Sequence, residues 1–369
     1  MTTGTDERQL ALTQAGRPLT WYVDAQVDSG AWHEEIVSPE VSGLARPITV
    51  FRAPRRTNLI AYDWHGDKQT FCPPMWWDLA IGSGACGLGC RACFLMLTHR
   101  IRRDPMRHLL YDNTDDFFAA SERWLQVAHR RKQHTLGVGI DRSDSLLYEG
   151  LTGHVRRLAP LFASEQHNPQ RCKLILLTKS ANTHYLGEIA EQDRSRVVVS
   201  FSLNPQMVAD CWEGVWEDGS PIPPSIERRL EAARYAQDLG YEVRVRVDPI
   251  LTPLGWEDAY ADFVAQVQRA GVQFTYWTLG TYREKNAQLL SWAERWGLPA
   301  IDWQPDNADL VQDGTHRHLS EERRIAIYTT VTGLIRTGFP DARVNLCKET
   351  HTVRKAMPHA CKADCNCLV

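Results

Sequence analysis

Residues 196–250 constrain the fold more than any other stretch of this chain. They read as a strand "RVVVSFSL" (196–203), a loop with Pro and Gly, a helix "SIERRLEAARYAQDLG" (225–240) and a second strand "YEVRVRVDPI" (241–250). In the helix Ser225 stands as N-cap, Ile226, Leu230, Ala233 and Leu239 approximate one apolar face, and Gly240 follows as the stop. In the second strand Val243, Val245 and Val247 alternate with Arg244 and Arg246, and Pro249 marks the end. A strand, a helix and a strand in series make a parallel unit. Further strands are expected at 78–82, 135–140, 172–178 and 272–279, with another helix at 256–270. The repeat predicts an α/β fold, a partial or complete parallel barrel with active-site residues at the carboxyl ends of its strands.

Before this repeat the chain is rich in Pro, Arg and isolated aromatics, with short strand-like pieces such as "LTWYVDA" (19–25) and "NLIAYDW" (58–64). The expected organisation is an N-terminal extension over 1–75, a barrel over 76–340 and a Cys-rich C-terminal segment over 341–369. The longest apolar runs, such as "LILL" (174–177), fall far short of the roughly 20 residues that a membrane span requires. The polar start "MTTGTDERQ" does not read as a signal peptide, so a cytoplasmic protein is expected. The formal charge is −3, from 42 Lys plus Arg against 45 Asp plus Glu, which disfavours extensive binding of duplex DNA and leaves small anionic substrates open.

Ten cysteines in a cytoplasmic chain read as metal ligands, reactive thiols or small buried hydrophobes before they read as disulfides. Three of them, Cys86, Cys90 and Cys93, stand in "GACGLGCRACFL" (84–95) with the spacing C-x3-C-x2-C, directly after the expected strand "WWDLAIGS". Three thiolates can hold three irons of a [4Fe–4S] cluster and leave the fourth open to a non-protein ligand. Gly84, Gly87 and Gly89 permit the tight backbone needed to aim three sulfurs at one centre. A zinc knuckle is the competing explanation, but it takes four ligands in paired spacings, and no matching pair lies nearby.

This spacing is the signature of the radical S-adenosylmethionine (SAM) superfamily, which the chain resembles here. The resemblance implies a cluster that chelates SAM at its open iron and, once reduced, cleaves it to a 5′-deoxyadenosyl radical that abstracts hydrogen from substrate. Downstream, "GIDRSDSLLYEGLTG" (139–153), "LLTKSANTHYL" (176–186), "VVVSFSLNP" (197–205), "VRVRVDPILTPLGWEDAY" (243–260), "TLGTYR" (278–283) and "NLCKET" (345–350) are similar to the spore photoproduct lyase family. That resemblance implies a partial (β/α)6 barrel, SAM contacts from Ser143, Lys179 and Ser202, and an electron donor such as flavodoxin or ferredoxin. A cationic Lys179 on the SAM carboxylate is a charge-assisted bond.

Three departures bear on the reaction. Asp141 occupies the place of the lyase's hydrogen-donating cysteine, and Ala92 and Phe94 replace the tyrosines that flank the third cluster cysteine. A carboxyl group is a poor hydrogen-atom donor, and alanine and phenylalanine have no O–H. The expectation is therefore a biosynthetic radical SAM enzyme acting on a nucleoside- or nucleotide-like small molecule. The alternatives are lesion repair with a rearranged hydrogen donor, or an iron–sulfur or zinc redox sensor. Asp141 would orient a substrate hydroxyl or amine or the ribose of SAM, or merely close an Asx turn. Arg244 and Arg246, with Asp248 beyond them, would bind an anionic substrate group or form a buried ion network. The tail "HACKADCNCLV" carries Cys361, Cys365 and Cys367, which with Cys347 could complete an auxiliary iron–sulfur cluster. As thiols, Cys365 and Cys367 are candidate catalytic groups that replace the missing hydrogen donor.

Overall fold

The computed structural model describes residues 33–64, 75–83, 86–91, 93, 95, 108–128, 134–140, 142–284, 300–313 and 316–358. Among the described residues eight strands form the main sheet, and their spatial order repeats their chain order: β1 (Ile60–Trp64), β2 (Met75–Leu79), β3 (Thr135–Val138), β4 (Lys173–Thr178), β5 (Val197–Ser202), β6 (Glu242–Ile250), β7 (Trp277–Thr281) and β8 (Val344–Leu346). Strands β2 to β8 are parallel, and β1 lies antiparallel on β2. Among the described residues the edges β1 and β8 do not pair, so the sheet is open. The resemblance implies six barrel strands; here β8, in the "NLCKET" stretch, adds a seventh parallel one beyond β7. It is held there because Val344 and Leu346 are buried in the main core.

The crossovers are helical except between β4 and β5, where two 3-10 turns serve. They are α1 (Thr114–Val127), α2 (His154–Ala163), α3 (Gln206–Trp212), α4 (Ile226–Asp238), α5 (Trp256–Arg269) and α6 (Glu321–Gly338). α4 begins as expected, with the Ser225 hydroxyl accepting from the Arg228 N–H, and Gly240 follows its end at φ 88°. The strand expected over 272–279 begins only at Trp277, and Val272 and Phe274 ahead of it are buried.

The alternation in β6 extends across the sheet and gives it two unlike faces. Val243, Val245, Val247, Trp277, Leu279, Val344 and Leu346 join the core with Phe263 and Val267 of α5 and Ile327 and Val331 of α6. The opposite, inner face carries Ser202, Arg244, Arg246, Asp248, Thr278 and Asn345. A second, four-stranded sheet pins the cysteine loop. Gly82–Ser83, entering that loop, pairs antiparallel with His108–Tyr111, leaving it, and the pairing continues through Ile48–Ala53 to His33–Val37. No helix among the described residues is long and apolar enough to cross a membrane.

Candidate active site

Cys90 is buried, and Cys86 and Cys93 are partly exposed, on a loop held at several points. The Gly87 N–H donates to the Tyr148 hydroxyl at 3.0 Å, and Tyr148 stacks on His108 with ring centroids 5.5 Å apart. Gly89 adopts φ 61°, the left-handed conformation that the tight loop requires. Arg91 ties the far side down, donating to the carbonyls of Glu213 at 2.9 Å and Ala300 at 2.5 Å and to Asp302 at 3.0 Å. Gly214 lies so close beneath that a Cβ there would stand 2.2 Å from the Leu88 carbonyl oxygen.

Burial pushes the Cys90 thiol up to about 12, with Lys179 and Arg229 opposing and Glu213 and Cys93 reinforcing. The Cys86 thiol is also raised, first by burial and then by Asp144, Cys90 and Cys93, so the three sulfurs sense one another. Among the described residues, no three His, Cys, Asp or Glu side chains converge on a point that one metal ion could fill. A [4Fe–4S] cluster makes another demand: each cysteine ligates a different iron, so the sulfurs stand around a volume rather than on a point. Three neighbouring soft donors on one pinned loop fit that demand.

Beside this loop, at the carboxyl ends of β4 and β5, the structure brings Lys179 and Ser202 together. Lys179 Nζ donates to Ser202 Oγ at 2.7 Å and lies 3.3 Å from Glu213 Oε1. Glu213 also takes a two-pronged bond from Arg229, whose Nη1 donates to Oε1 at 2.9 Å. Burial alone would raise the Glu213 carboxyl, but Arg229 and Lys179 hold it below its ordinary range. Within this contact set two cations face one carboxylate, an arrangement with spare positive charge for an anionic group.

Asp144 fixes the same strand end from the other side. It accepts from the Lys179 N–H and the Thr178 hydroxyl, each at 2.8 Å, and from the N–H groups of Leu146 and Leu147. Burial nevertheless raises its carboxyl. Ser143, its neighbour in sequence, is buried, its Oγ 3.0 Å from His108 Nε2. Sequence reasoning missed Asp144 and Glu213. Asp144 could have been found as a side chain followed by turn N–H groups two and three residues on, whereas Glu213 has no local signature.

On the inner face, Arg246 pairs in register with Ser202 on one side and Thr278 on the other. Asp248 is held by Arg283 at 2.8 and 3.1 Å; burial would raise its carboxyl, but Arg283, Arg246 and Lys348 keep it low. Gly280 leaves this carboxylate room, since a Cβ there would stand 2.5 Å from it. Cys347 is buried at the end of β8, its carbonyl accepting from Arg283 at 2.8 Å. Arg244 is not brought to this end. It lies nearer the start of β6, bonded to Glu242 at 2.7 Å in a network with Lys173, its guanidinium 4.7 Å from the centre of the Tyr276 ring. Asp141, Ala92, Phe94, Cys361, Cys365 and Cys367 lie outside the described residues.

A family model described as spore photoproduct lyase matches residues 47–277. The spore photoproduct lyase of Geobacillus sp. is 24% identical over 197 residues, 53% of this chain and 52% of that protein, so the match spans about half the length of this curated relative. A solved spore photoproduct lyase complexed with dinucleoside spore photoproduct has a TM-score of 0.64 at 20% identity, covering 81% of this chain and 82% of that one. A variant of the lyase with bound AdoMet and dinucleoside spore photoproduct gives a TM-score of 0.62 at 20% identity, with 80% of each chain covered. At these identities the solved structures speak for the fold.

Proposed function

Because the chain belongs to the spore photoproduct lyase family, we propose that it works as a radical SAM enzyme on a nucleoside- or nucleotide-like small molecule. The observation that carries this reading is the contact of Lys179 with Ser202 at the carboxyl ends of two adjacent strands, beside the cysteine loop. Cys86, Cys90 and Cys93 would hold the [4Fe–4S] cluster. Lys179 and Ser202 would bind the SAM carboxylate, with Glu213 and Arg229 as positioning residues and Ser143 at the margin. The chemistry that cluster and SAM supply when bound is reductive cleavage to a 5′-deoxyadenosyl radical, which takes a hydrogen atom from substrate.

Arg246 faces the same space and would bind an anionic substrate group. Asp141 would accept hydrogen bonds from a substrate hydroxyl or amine. With Asp141, Ala92 and Phe94 where the lyase has its cysteine and tyrosines, the route that returns hydrogen in repair is lost, which favours a biosynthetic reaction, oxidative or sulfur-transferring. Cys347, Cys361, Cys365 and Cys367 would then hold an auxiliary cluster where an electron or a sulfur atom is exchanged. Flavodoxin or ferredoxin in the cytoplasm would supply electrons. A second reading, lesion repair with another hydrogen donor such as a tail thiol, is favoured by the extent of the family match.

The test is anaerobic reconstitution followed by SAM and dithionite. Release of 5′-deoxyadenosine is expected, and none from the triple Cys86, Cys90 and Cys93 alanine variant; failure of the intact protein to make it would leave a redox sensor. Addition of dinucleoside spore photoproduct then separates the two enzyme readings. Clean return of two thymidines would establish repair and overturn the biosynthetic one. Mössbauer spectroscopy of the triple variant decides the auxiliary cluster, whose signal should survive there.

A further inference from the structure

Ser202, Arg246, Thr278 and Asn345 stand side by side across β5, β6, β7 and β8. Ser202 pairs in register with Arg246, Arg246 with Thr278 and Thr278 with Asn345, so the inner face carries a continuous polar row at one level of the sheet. At one end of the row Ser202 is engaged by Lys179. The other end is different. Asn345 is 0% exposed and neither Nδ2 nor Oδ1 has a hydrogen-bond partner; Thr278 is 1% exposed and its Oγ1 is likewise unpartnered.

Buried amides in folded proteins are nearly always paired, because an unpaired donor or acceptor bears its full desolvation cost. Here three such atoms sit on adjacent strands. The fold does not require them: Val344 and Leu346 make the core contacts of β8, and the pairing with β7 uses backbone groups. An apolar side chain at 345 would serve the fold better. The polar one therefore needs a partner that arrives from outside, on the face where Arg246 and Lys179 already point to a site.

We propose that the Asn345 amide, with the Thr278 hydroxyl beside it, receives one edge of the substrate, an edge with a hydrogen-bond donor and an acceptor side by side, as on a nucleobase. The amide presents an acceptor oxygen and a donor nitrogen together, so its complement presents both. A carboxylate or phosphate would satisfy Nδ2 and leave Oδ1 bare, and a cation would do the reverse. A –CO–NH– ring edge satisfies both. Substrate would lie at the β7–β8 end of the row and SAM at the β4–β5 end, side by side on one face.

This inference rests on the nucleoside-type substrate proposed above, and the test separates the two. The probes are dinucleoside spore photoproduct and the same compound methylated at both N3 positions, which removes the donors from the –CO–NH– edges. Their affinities are measured by calorimetry on anaerobically reconstituted protein carrying SAM, for the native chain and Asn345→Leu. The native protein should prefer the unmethylated probe by roughly tenfold or more, and Asn345→Leu should lose that preference while melting at the same or a higher temperature. Thr278→Val, of the same shape, should lose part of it and provides the reading if the leucine variant does not fold. If the native protein binds neither probe while still releasing 5′-deoxyadenosine from SAM, the inference fails and the radical SAM reading stands; if it does neither, both fail. If it binds them with a preference that both variants keep, the inference alone fails. A preference for SAM itself that Asn345→Leu weakens would assign the row to the adenine ring and overturn the proposal. A large drop in melting temperature for both Asn345→Leu and Thr278→Val would make the row structural and also overturn it.

Discussion

The two faces of the main sheet are built from the same strands and have opposite chemistry. On the helix side Val243, Val245, Val247, Trp277, Leu279, Val344 and Leu346 pack into one apolar core. On the inner side the residues between them are Arg244, Arg246, Asp248, Thr278 and Asn345, of which Arg244, Thr278 and Asn345 are buried and Arg246 and Asp248 partly exposed. Period-two alternation assigns every residue of a strand to one face or the other. The difference teaches that stability and chemistry are divided between faces: substitutions on the helix side should change how much protein folds, and those on the inner side what the folded protein binds.

The sharpest break is at the cysteine loop. Replacing Cys86, Cys90 and Cys93 by alanine should abolish 5′-deoxyadenosine formation while the thermal midpoint of the cluster-free protein moves by no more than about 5 °C, because small side chains replace small ones. Collapse of the fold instead would place stability and chemistry in the same residues. Trp277→Ala tests the other face. This ring is 1% exposed and packs against Phe274 and Phe339, each 5.5 Å away between ring centres. Its removal should cost about 3–5 kcal/mol in urea unfolding and leave SAM cleavage per folded molecule unchanged.

This division was largely legible in the sequence. The valine and arginine alternation over 243–247 announces two faces, Ser225 and Gly240 announce the ends of α4, and the spacing of the three cysteines marks the loop proposed to hold a cluster. Three things were not legible, each because it depends on pairing across distance. The seventh parallel strand is three residues long, Val344–Leu346, too short for periodicity to mark. Glu213 gains its meaning only when the fold brings Lys179 and Arg229 to it. Arg244 and Arg246 look alike in sequence, and only the register with β5 shows that one is level with Ser200 and the other with Ser202.

His154 is a polar group on the helix side and should behave as a matter of stability alone. It is buried at the start of α2, against Phe117 of α1, with its Nε2 3.1 Å from the Tyr111 carbonyl oxygen. Burial lowers its pKa from 6.5 to about 4, although the bond to Tyr111 opposes the shift. The folded protein therefore keeps it neutral where the unfolded chain takes up a proton. Its contribution is complete above pH 6.5 and is lost as pH falls toward 4. The loss should approach about 1.4 kcal/mol per pH unit, on the order of 3 kcal/mol in all. Urea unfolding between pH 7 and 4 should show this slope, and His154→Gln, which can still donate to Tyr111, should flatten it. An unchanged slope would assign the acid sensitivity elsewhere.

The smallest effect asks whether the inner face is divided along its length as well. Arg244 and Arg246 share that face two residues apart, about 7 Å along the strand. Arg244 is bonded to Glu242, which also takes Lys173 at 2.6 Å and Thr275 at 3.1 Å. Glu242 keeps those partners and some contact with water when Arg244 is lost, so Arg244→Met should cost only about 1–2 kcal/mol, less than a fully buried pair broken on one side. It should leave the affinity for dinucleoside spore photoproduct unchanged, whereas Arg246→Met, level with Ser202 and Thr278, should weaken it several-fold. Equal weakening by both would mean that substrate reaches the amino-terminal half of β6, and that recognition belongs to the whole inner face rather than to its carboxyl end.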